Sequence, residues 1–323
     1  MQAPFAFLTN VICYKIGNYA LLGCMQMKKI TLCLFSAVLL FLLSGCGAQE
    51  PPAQVAATTL PVYEFTSRLL EGTPITVTRL VTEEVSCLHD YSLNVKQVRA
   101  AEAAEVIVIS GAGLEEFLDD LLLHTDTIDA SQDIELLCPE SGHGHDHGHE
   151  EEEEGHSHEQ DPHIWLSPVN ASIMVRNICD GLTERYPAYA PVISSNLDSL
   201  AKELDALQTY GEEALSSLSC RDLITFHDGF AYFADCFDLH ILRAVEEESG
   251  SEASARDLIH LIKEVETHDL PAVFTEKSGS VSAAGILSRE TGCGQFALDM
   301  AMSGDSYFDA MYHNIDTIKE AMG

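Results

Sequence analysis

Four residues carry side chains that could together bind a metal ion: His89, His163, His227 and Asp299. Three of the four come after an apolar, strand-like run, and in open α/β sheets the carboxyl ends of the strands form the edge where ligands bind. Three neutral imidazoles with one carboxylate make the mixed nitrogen and oxygen set that zinc favours, whereas calcium and magnesium prefer oxygen ligands. A lone histidine at a strand end is usually structural, so the prediction depends on the four residues occurring together.

His163 stands where a charged segment meets the start of a helix, in the run QDPHIWLSP. Ser167 and Pro168 are typical of a helix N-cap and of the first helical position. Trp165 and Leu166 can anchor the chain at this point, because they form the nearby apolar patch. We therefore expect His163 to be held in place by the residues that follow it.

An acidic, histidine-rich loop, residues 138–162, includes a run of five consecutive glutamates. Its alternating histidines define no closed four-ligand cage, so we interpret them as weak, interchangeable metal sites on a low-complexity chain. A random polar insertion is the alternative. We expect the loop to capture or sense zinc and to pass it to the tighter site. The accessory histidines are His143, His145, His147, His149, His156 and His158.

The other histidines fall in predicted helices or connections and have no evident partners. We interpret all five as structural or surface residues. They are His124, His240, His260, His268 and His313.

Composition and charge restrict the class of protein. The chain has 323 residues, of which 46% are hydrophobic, so it is long enough for two globular domains. Its formal net charge is −34. This charge argues against binding nucleic acid or an anionic membrane through a basic surface, and it suits a cationic ligand.

The run MKKITLCLFSAVLLFLLSGC is typical of an export signal, because basic residues precede an apolar stretch that ends in small residues. LSGC resembles the lipobox of bacterial lipoproteins, in which the cysteine, here Cys46, is lipidated. A membrane-spanning anchor is the alternative. We expect translation to start at Met25 or Met27 and the mature protein to be extracytoplasmic and lipid-anchored. The predicted segments are a non-native extension at 1–26, a signal peptide at 27–45 and a tether at 46–53.

Beyond the tether, apolar strand-like runs alternate with amphipathic helical stretches, which is the pattern of βαβ units with parallel sheets. We predict two α/β lobes joined by a long helical segment. The first lobe is 54–185, the linking helix 186–219 and the second lobe 220–323. The predicted strands are 55–60, 75–81, 106–110, 127–130, 222–226, 239–245, 272–276 and 295–298.

Six cysteines follow Cys46, and in an exported protein they could form disulfides or remain buried thiols. They lack CxxC spacing, so a zinc ribbon is disfavoured. One pairing is predicted, Cys236 with Cys293, because both follow elements of the second half. The six are Cys87, Cys138, Cys179, Cys220, Cys236 and Cys293.

Several motifs together resemble the zinc-binding lipoproteins of bacterial ABC importers, the cluster A-I substrate-binding family. They are GLEEFL after VIVISGA, DPHIWLSP, FHDGFAYFA, and LDM followed by YFDAMYHNIDTI. The resemblance runs from about Val55 to the C-terminus. It implies a metal site in the cleft between two lobes, zinc as the transported ligand, and delivery to a membrane permease by a monomer without catalytic residues.

The resemblance also implies the ligands. His89, His163 and His227 would bind the metal, and Asp299 would bind it as in some members or be replaced by water as in others. His227 stands where manganese-binding relatives carry glutamate, which favours zinc. LDMAMSG replaces the usual LDPLG, so the role of Asp299 stays open. Glu276, near the predicted site, is expected to be a hydrogen-bond or electrostatic partner.

Two other functions are compatible with a lipid-anchored zinc protein. A zinc hydrolase would use three histidines and an open coordination position. However, the HExxH motif is absent and no nucleophile or oxyanion motif accompanies Asp228. An adhesin or other surface scaffold could share both the anchor and the fold. The choice among zinc, nickel, cobalt and cadmium also stays open.

Removal of residues 142–159 should leave the tight zinc site intact, because the four predicted ligands lie outside this segment. We expect a competition titration to show an unchanged tight affinity and fewer weakly bound zinc ions. Loss of the tight site together with the loop would instead show that the loop histidines are its ligands.

Overall fold

Two parallel β-sheets of four strands each form the framework of the protein. The computed structural model describes residues 53–85, 88, 91–137, 160–245 and 254–323. The first sheet has the strand order β2-β1-β3-β4 and the second the order β6-β5-β7-β8. The strands are β1 (Val55–Ala57), β2 (Val77–Arg79), β3 (Val106–Ile109), β4 (Thr127–Asp129), β5 (Asp222–Thr225), β6 (His240–Ala244), β7 (Ala272–Glu276) and β8 (Gly294–Leu298).

Helices connect the strands, and two long ones lie between the sheets in the sequence. Within the described ranges, none of them is both long and apolar enough to cross a membrane. They are α1 (Leu60–Leu69), α2 (Val95–Ala103), α3 (Asp119–Leu122), α4 (Pro168–Arg185), α5 (Ala190–Leu215), α6 (Ala231–Cys236), α7 (Ala255–Thr267), α8 (Ser282–Thr291) and α9 (Tyr307–Met322).

The main hydrophobic core includes residues from both halves of the chain. Phe65 of α1 and Tyr307 of α9 are fully buried there, with ring centroids 5.0 Å apart in an edge-to-face arrangement. Smaller clusters, around Ile107 in the first sheet and Val273 in the second, cover the opposite faces. Because both faces are covered, β1 and β3, the central strands of the first sheet, are apolar runs rather than alternating patterns. The two-lobed parallel α/β fold predicted from the sequence is confirmed.

Some strands end earlier than the sequence pattern suggests. The predicted strand 55–60 ends at Ala57, because Thr59 is the N-cap of α1 and Pro61 lies in its first turn. Proline has no N–H to donate to a sheet, so it favours the helix start. Strand β7, in contrast, coincides with the predicted run.

The helical connection between the sheets is divided by a short turn. Helix α4 ends at Arg185, and a 3₁₀ turn at Pro187–Tyr189 precedes α5. Helix α5 ends at Leu215. The linking helix is therefore shorter at both ends than the predicted 186–219.

The predicted disulfide between Cys236 and Cys293 is wrong, because both are free thiols. Cys236 precedes β6 and Cys293 precedes β8, which are the two edge strands of the second sheet. Edge strands of a four-stranded sheet lie about 14 Å apart, far beyond the Cα separation that a disulfide allows. Cys179 and Cys220 are also free. Cys46, Cys87 and Cys138 lie outside the described residues.

The buried carboxylate of Glu115 links the segments that follow β1 and β3 in the first sheet. Glu115 is 3% exposed. Its Oε1 accepts hydrogen bonds from Thr58 Oγ1 and from Ser110 N, both at 2.7 Å, and its Oε2 accepts one from Gly111 N at 3.0 Å. Gly111 has φ of 82°, and a Cβ there would lie 2.0 Å from Asp129 Oδ1, so only glycine fits. Burial raises the pKa of Glu115 to about 7.

The raised pKa makes the stability of the protein pH-dependent. When the pH lies between the ordinary pKa of Glu115 and the raised value, folding is coupled to the uptake of a proton by this carboxylate. The wild type should therefore lose roughly 3 kcal/mol of unfolding free energy relative to Glu115→Gln as the pH rises from about 4.5 to about 7. Denaturant unfolding of the metal-free proteins across this range measures the difference. A pH-independent difference would contradict the assignment, and the exposed Glu116→Gln is the matched control.

Candidate metal centre

His163 is fixed by the residues on either side of it. It is 3% exposed and directly precedes a 3₁₀ turn at Ile164–Leu166. The carboxylate of Asp161 accepts a hydrogen bond from His163 N at 2.9 Å, and its Oδ1 lies 2.7 Å from His163 Nδ1. A carboxylate at Nδ1 favours the tautomer with the proton on that nitrogen. The lone pair of Nε2 is then free to bind a cation.

Trp165 holds this segment against the second half of the chain. Its ring is fully buried and packs edge-to-face against the ring of His163, with centroids 5.4 Å apart. The indole Nε1 donates a hydrogen bond to the carbonyl of Met300 at 2.7 Å, and the hydroxyl of Tyr307 donates one to the carbonyl of Trp165 at 2.9 Å. The expected anchoring of His163 by Trp165 is confirmed.

His227 follows β5, at the carboxyl edge of the second sheet. Its Nδ1 lies 2.8 Å from Oε1 of Glu276, the last residue of the neighbouring strand β7. Glu276 is 5% exposed, and its Oε1 has no well-aligned hydrogen bond despite this short contact. Gly229 leaves room for the imidazole, because a Cβ there would lie 2.7 Å from His227 Cδ2. Glu276 is thus the electrostatic partner that the sequence predicts.

The two imidazoles meet across the two halves of the chain. His163 Nε2 and His227 Nε2 are 3.5 Å apart. Two nitrogen ligands of a tetrahedral zinc ion, each about 2.05 Å from the metal, would be about 3.3 Å apart. Each Nδ1 faces a carboxylate, and the tautomers with the proton on Nδ1 leave the lone pairs of both Nε2 atoms available to a cation. The arrangement is suited to a cation between them.

The surroundings of this pair also favour a cation. Asp161 and Glu276 are both buried carboxylates directly behind the imidazoles. Buried charges need a partner of opposite sign, and the histidines supply it only when protonated. A divalent metal between the rings would balance both carboxylates while the imidazoles stay neutral.

Both carboxylate oxygens of Asp299 already contact other groups of the protein. Its Oδ1 accepts a hydrogen bond from Ala301 N at 2.8 Å, and its Oδ2 lies 3.3 Å from Lys277 Nζ. The side chain of Asn314 fixes its backbone, accepting from Asp299 N and donating to Asp299 O, both at 2.7 Å. Among the described residues, no group of three His, Cys, Asp or Glu is already arranged to hold a metal ion. The structure therefore brings together His163 and His227 but does not add Asp299 to them.

The remaining predicted ligands lie outside the described residues. They are His89, the accessory histidines His143, His145, His147, His149, His156 and His158, and the lipidation site Cys46.

Two partners of the site were not predicted from the sequence. Asp161 stands two residues before His163, and this spacing is typical of an Asx turn, so it could have been recognised. Lys277 gave no such signal, because its contact with Asp299 depends on the pairing of β7 with β8.

Comparison with known proteins identifies the family. Residues 55–321 match the family model ZnuA, described as zinc-uptake complex component A, periplasmic. The chain belongs to the ZnuA family.

Relatives of this ZnuA-family chain differ in the metal they are named for. The zinc-binding lipoprotein AdcA of Streptococcus pneumoniae is 30% identical over 309 residues, which cover 91% of this chain and 61% of AdcA. This chain thus spans less than two thirds of AdcA. The manganese-binding lipoprotein MntA of Halalkalibacterium halodurans is 26% identical over 311 residues, covering 90% of this chain and 98% of MntA.

A solved structure supports the same fold for this ZnuA-family chain. A crystal structure of ZnuA superposes with a TM-score of 0.71 at 27% identity, covering 84% of this chain and 100% of that one. The two parallel-sheet lobes and the helical connection are therefore those of the family.

Substitution of Glu276 by glutamine should weaken zinc binding by about 10- to 100-fold, because the carboxylate that orients His227 is lost. Competition titration against a chelator of known affinity measures the change. The matched control is Glu264→Gln, since Glu264 contacts Arg243 on the same half of the chain. Binding of Glu276→Gln equal to that of the control would contradict this role.

Proposed function

We propose that this protein captures zinc outside the cytoplasm and delivers it to an ABC permease. The observation that carries the proposal is the approach of His163 Nε2 and His227 Nε2 to 3.5 Å, each with a buried carboxylate at its other ring nitrogen. Membership of a family of zinc-uptake components supports transport rather than catalysis as the role of this site. Zinc is then the cargo, and the proposal includes no catalytic residue.

The complete site would add His89 as the third imidazole. Asp299 would supply the fourth ligand only by leaving Lys277, and otherwise water takes that position. Two imidazoles already face each other among the described residues, and nitrogen-rich sites favour zinc over manganese, which prefers oxygen ligands. Manganese is the main competitor to test, because one relative is named for it.

A bound metal would link the two halves of the chain. His163 belongs to the first half and His227 to the second, so a shared ion fixes their relative position. The halves are already joined by the Trp165–Met300 and Tyr307–Trp165 hydrogen bonds and by a common core. We therefore propose that zinc produces a small tilt rather than a wide hinge motion, and that docking on the permease triggers release.

The rest of the chain would place the site at the membrane. Lipidation of Cys46 would anchor the protein as a monomer on the outer side of the cytoplasmic membrane, with 46–53 as the tether. The histidine-rich loop would capture or sense zinc and pass it to the tight site. The lobes would be 54–185 and 220–323, with 186–219 between them.

Substitution of either His163 or His227 by alanine should weaken tight zinc binding by about 100-fold or more, because each ligand accounts for about a quarter of a typical zinc-binding free energy. Competition titration with zinc, and separately with manganese, measures the loss and the preference. His313→Ala is the control, since the ring of His313 lies at the carbonyl of Ala297 in the second half, with its Nε2 3.3 Å from that oxygen.

Near-wild-type zinc affinity in both variants would remove the two histidines from the site and overturn the proposal. Tighter binding of manganese than of zinc by the wild type would keep the site but reassign the cargo.

A further inference from the structure

Lys277 places a positive charge at the carboxyl edge of the second sheet, where the proposed metal site lies. It directly follows Glu276, the last residue of β7, and its backbone N–H donates to the carbonyl of Leu298 at 2.8 Å. Because Leu298 ends β8, the parallel pairing of the two strands brings Lys277 beside Asp299. A positive charge here repels an incoming metal ion, whereas the nearby carboxylates attract it.

Asp299 is next in sequence to a residue at the site itself. A Cβ added at Gly229 would lie 2.6 Å from Met300 Cε and 2.7 Å from His227 Cδ2, so Met300 lies beside the imidazole. The carbonyl of Met300 also accepts the hydrogen bond from the indole of Trp165 at 2.7 Å. The chain at Asp299 is therefore held at the rim of the site from both halves.

Both oxygens of the Asp299 carboxylate are engaged. Oδ1 accepts a hydrogen bond from Ala301 N at 2.8 Å, which fixes the carboxylate in a local turn. Oδ2 accepts one from Lys277 Nζ at 3.3 Å. The side chain of Asp299 is 16% exposed, so this ion pair is partly shielded from water and salt. A metal ion that recruits Oδ2 must therefore displace Lys277.

We propose that Lys277 determines the metal specificity of the site by competing with the metal ion for Asp299. This inference rests on the proposed function. With Asp299 withheld, the site offers imidazole nitrogens and water, a set that suits zinc better than manganese. Without the lysine, Oδ2 is free to enter the site, and a carboxylate ligand favours manganese more than zinc. Lys277 thus acts through Asp299 and does not itself touch the metal.

Competition titrations of the full chain with zinc, and separately with manganese, measure the effect of Lys277→Gln. Zinc affinity should rise about 3- to 5-fold, as expected for loss of one exposed ion pair, and manganese affinity about 10-fold. The zinc-to-manganese affinity ratio should therefore fall. Lys277→Arg should stay close to the wild type, because it keeps the charge. Lys263→Gln is the matched control, because it removes the same charge from an exposed position on α7.

The same substitution in an Asp299→Asn background separates competition from simple repulsion. Repulsion by a lysine charge acts equally on two divalent ions, so its loss changes both affinities but not their ratio. If Lys277 acts through Asp299, Lys277→Gln should leave the ratio unchanged once the carboxylate is absent. Asp299→Asn alone should weaken zinc binding by only about 3-fold, because the carboxylate is not a zinc ligand while Lys277 holds it.

Three results would overturn the inference. They are an unchanged ratio in Lys277→Gln, the same fall in ratio with and without Asp299, and a loss of about 100-fold in zinc affinity from Asp299→Asn alone. His227→Ala is titrated in parallel. Near-wild-type zinc affinity in that variant overturns the proposed function together with this inference. Histidine-dependent zinc binding with an unchanged ratio in Lys277→Gln overturns this inference alone.

Discussion

The approach of His163 Nε2 to within 3.5 Å of His227 Nε2 is the constraint that the surrounding residues maintain. Buried carboxylates of Asp161 and Glu276 lie at the two Nδ1 atoms, and in the tautomers protonated at Nδ1 the two Nε2 lone pairs repel each other. A cation removes the repulsion and pairs with both carboxylates at once. The geometry thus suits a cation between the two halves of the chain.

The scaffold explains how two residues distant in sequence reach this position. Parallel strands bring His227 and Glu276 to one edge of the second sheet, as expected for the carboxyl ends of neighbouring strands. His163 comes from an irregular segment, and its position depends on the burial of Trp165 and on the hydrogen bond from that indole to Met300. The common core then keeps the halves within reach of one ion.

Local patterns in the sequence predicted the fold and part of the site. The apolar run at β7 coincided with its strand, and the QDPHIWLSP run correctly indicated an anchored His163. Features that depend on strand order could not be predicted in this way. The pairing of Cys236 with Cys293 failed because their strands lie at opposite edges of the sheet. The contact of Lys277 with Asp299 likewise follows from the pairing of β7 with β8.

The most direct test is anomalous diffraction at the zinc absorption edge from crystals of the zinc-loaded protein. The expected result is a strong peak between the two halves, about 2.0 to 2.1 Å from both His163 Nε2 and His227 Nε2. A zinc ion bound elsewhere, with neither nitrogen within bonding distance of it, would contradict the account.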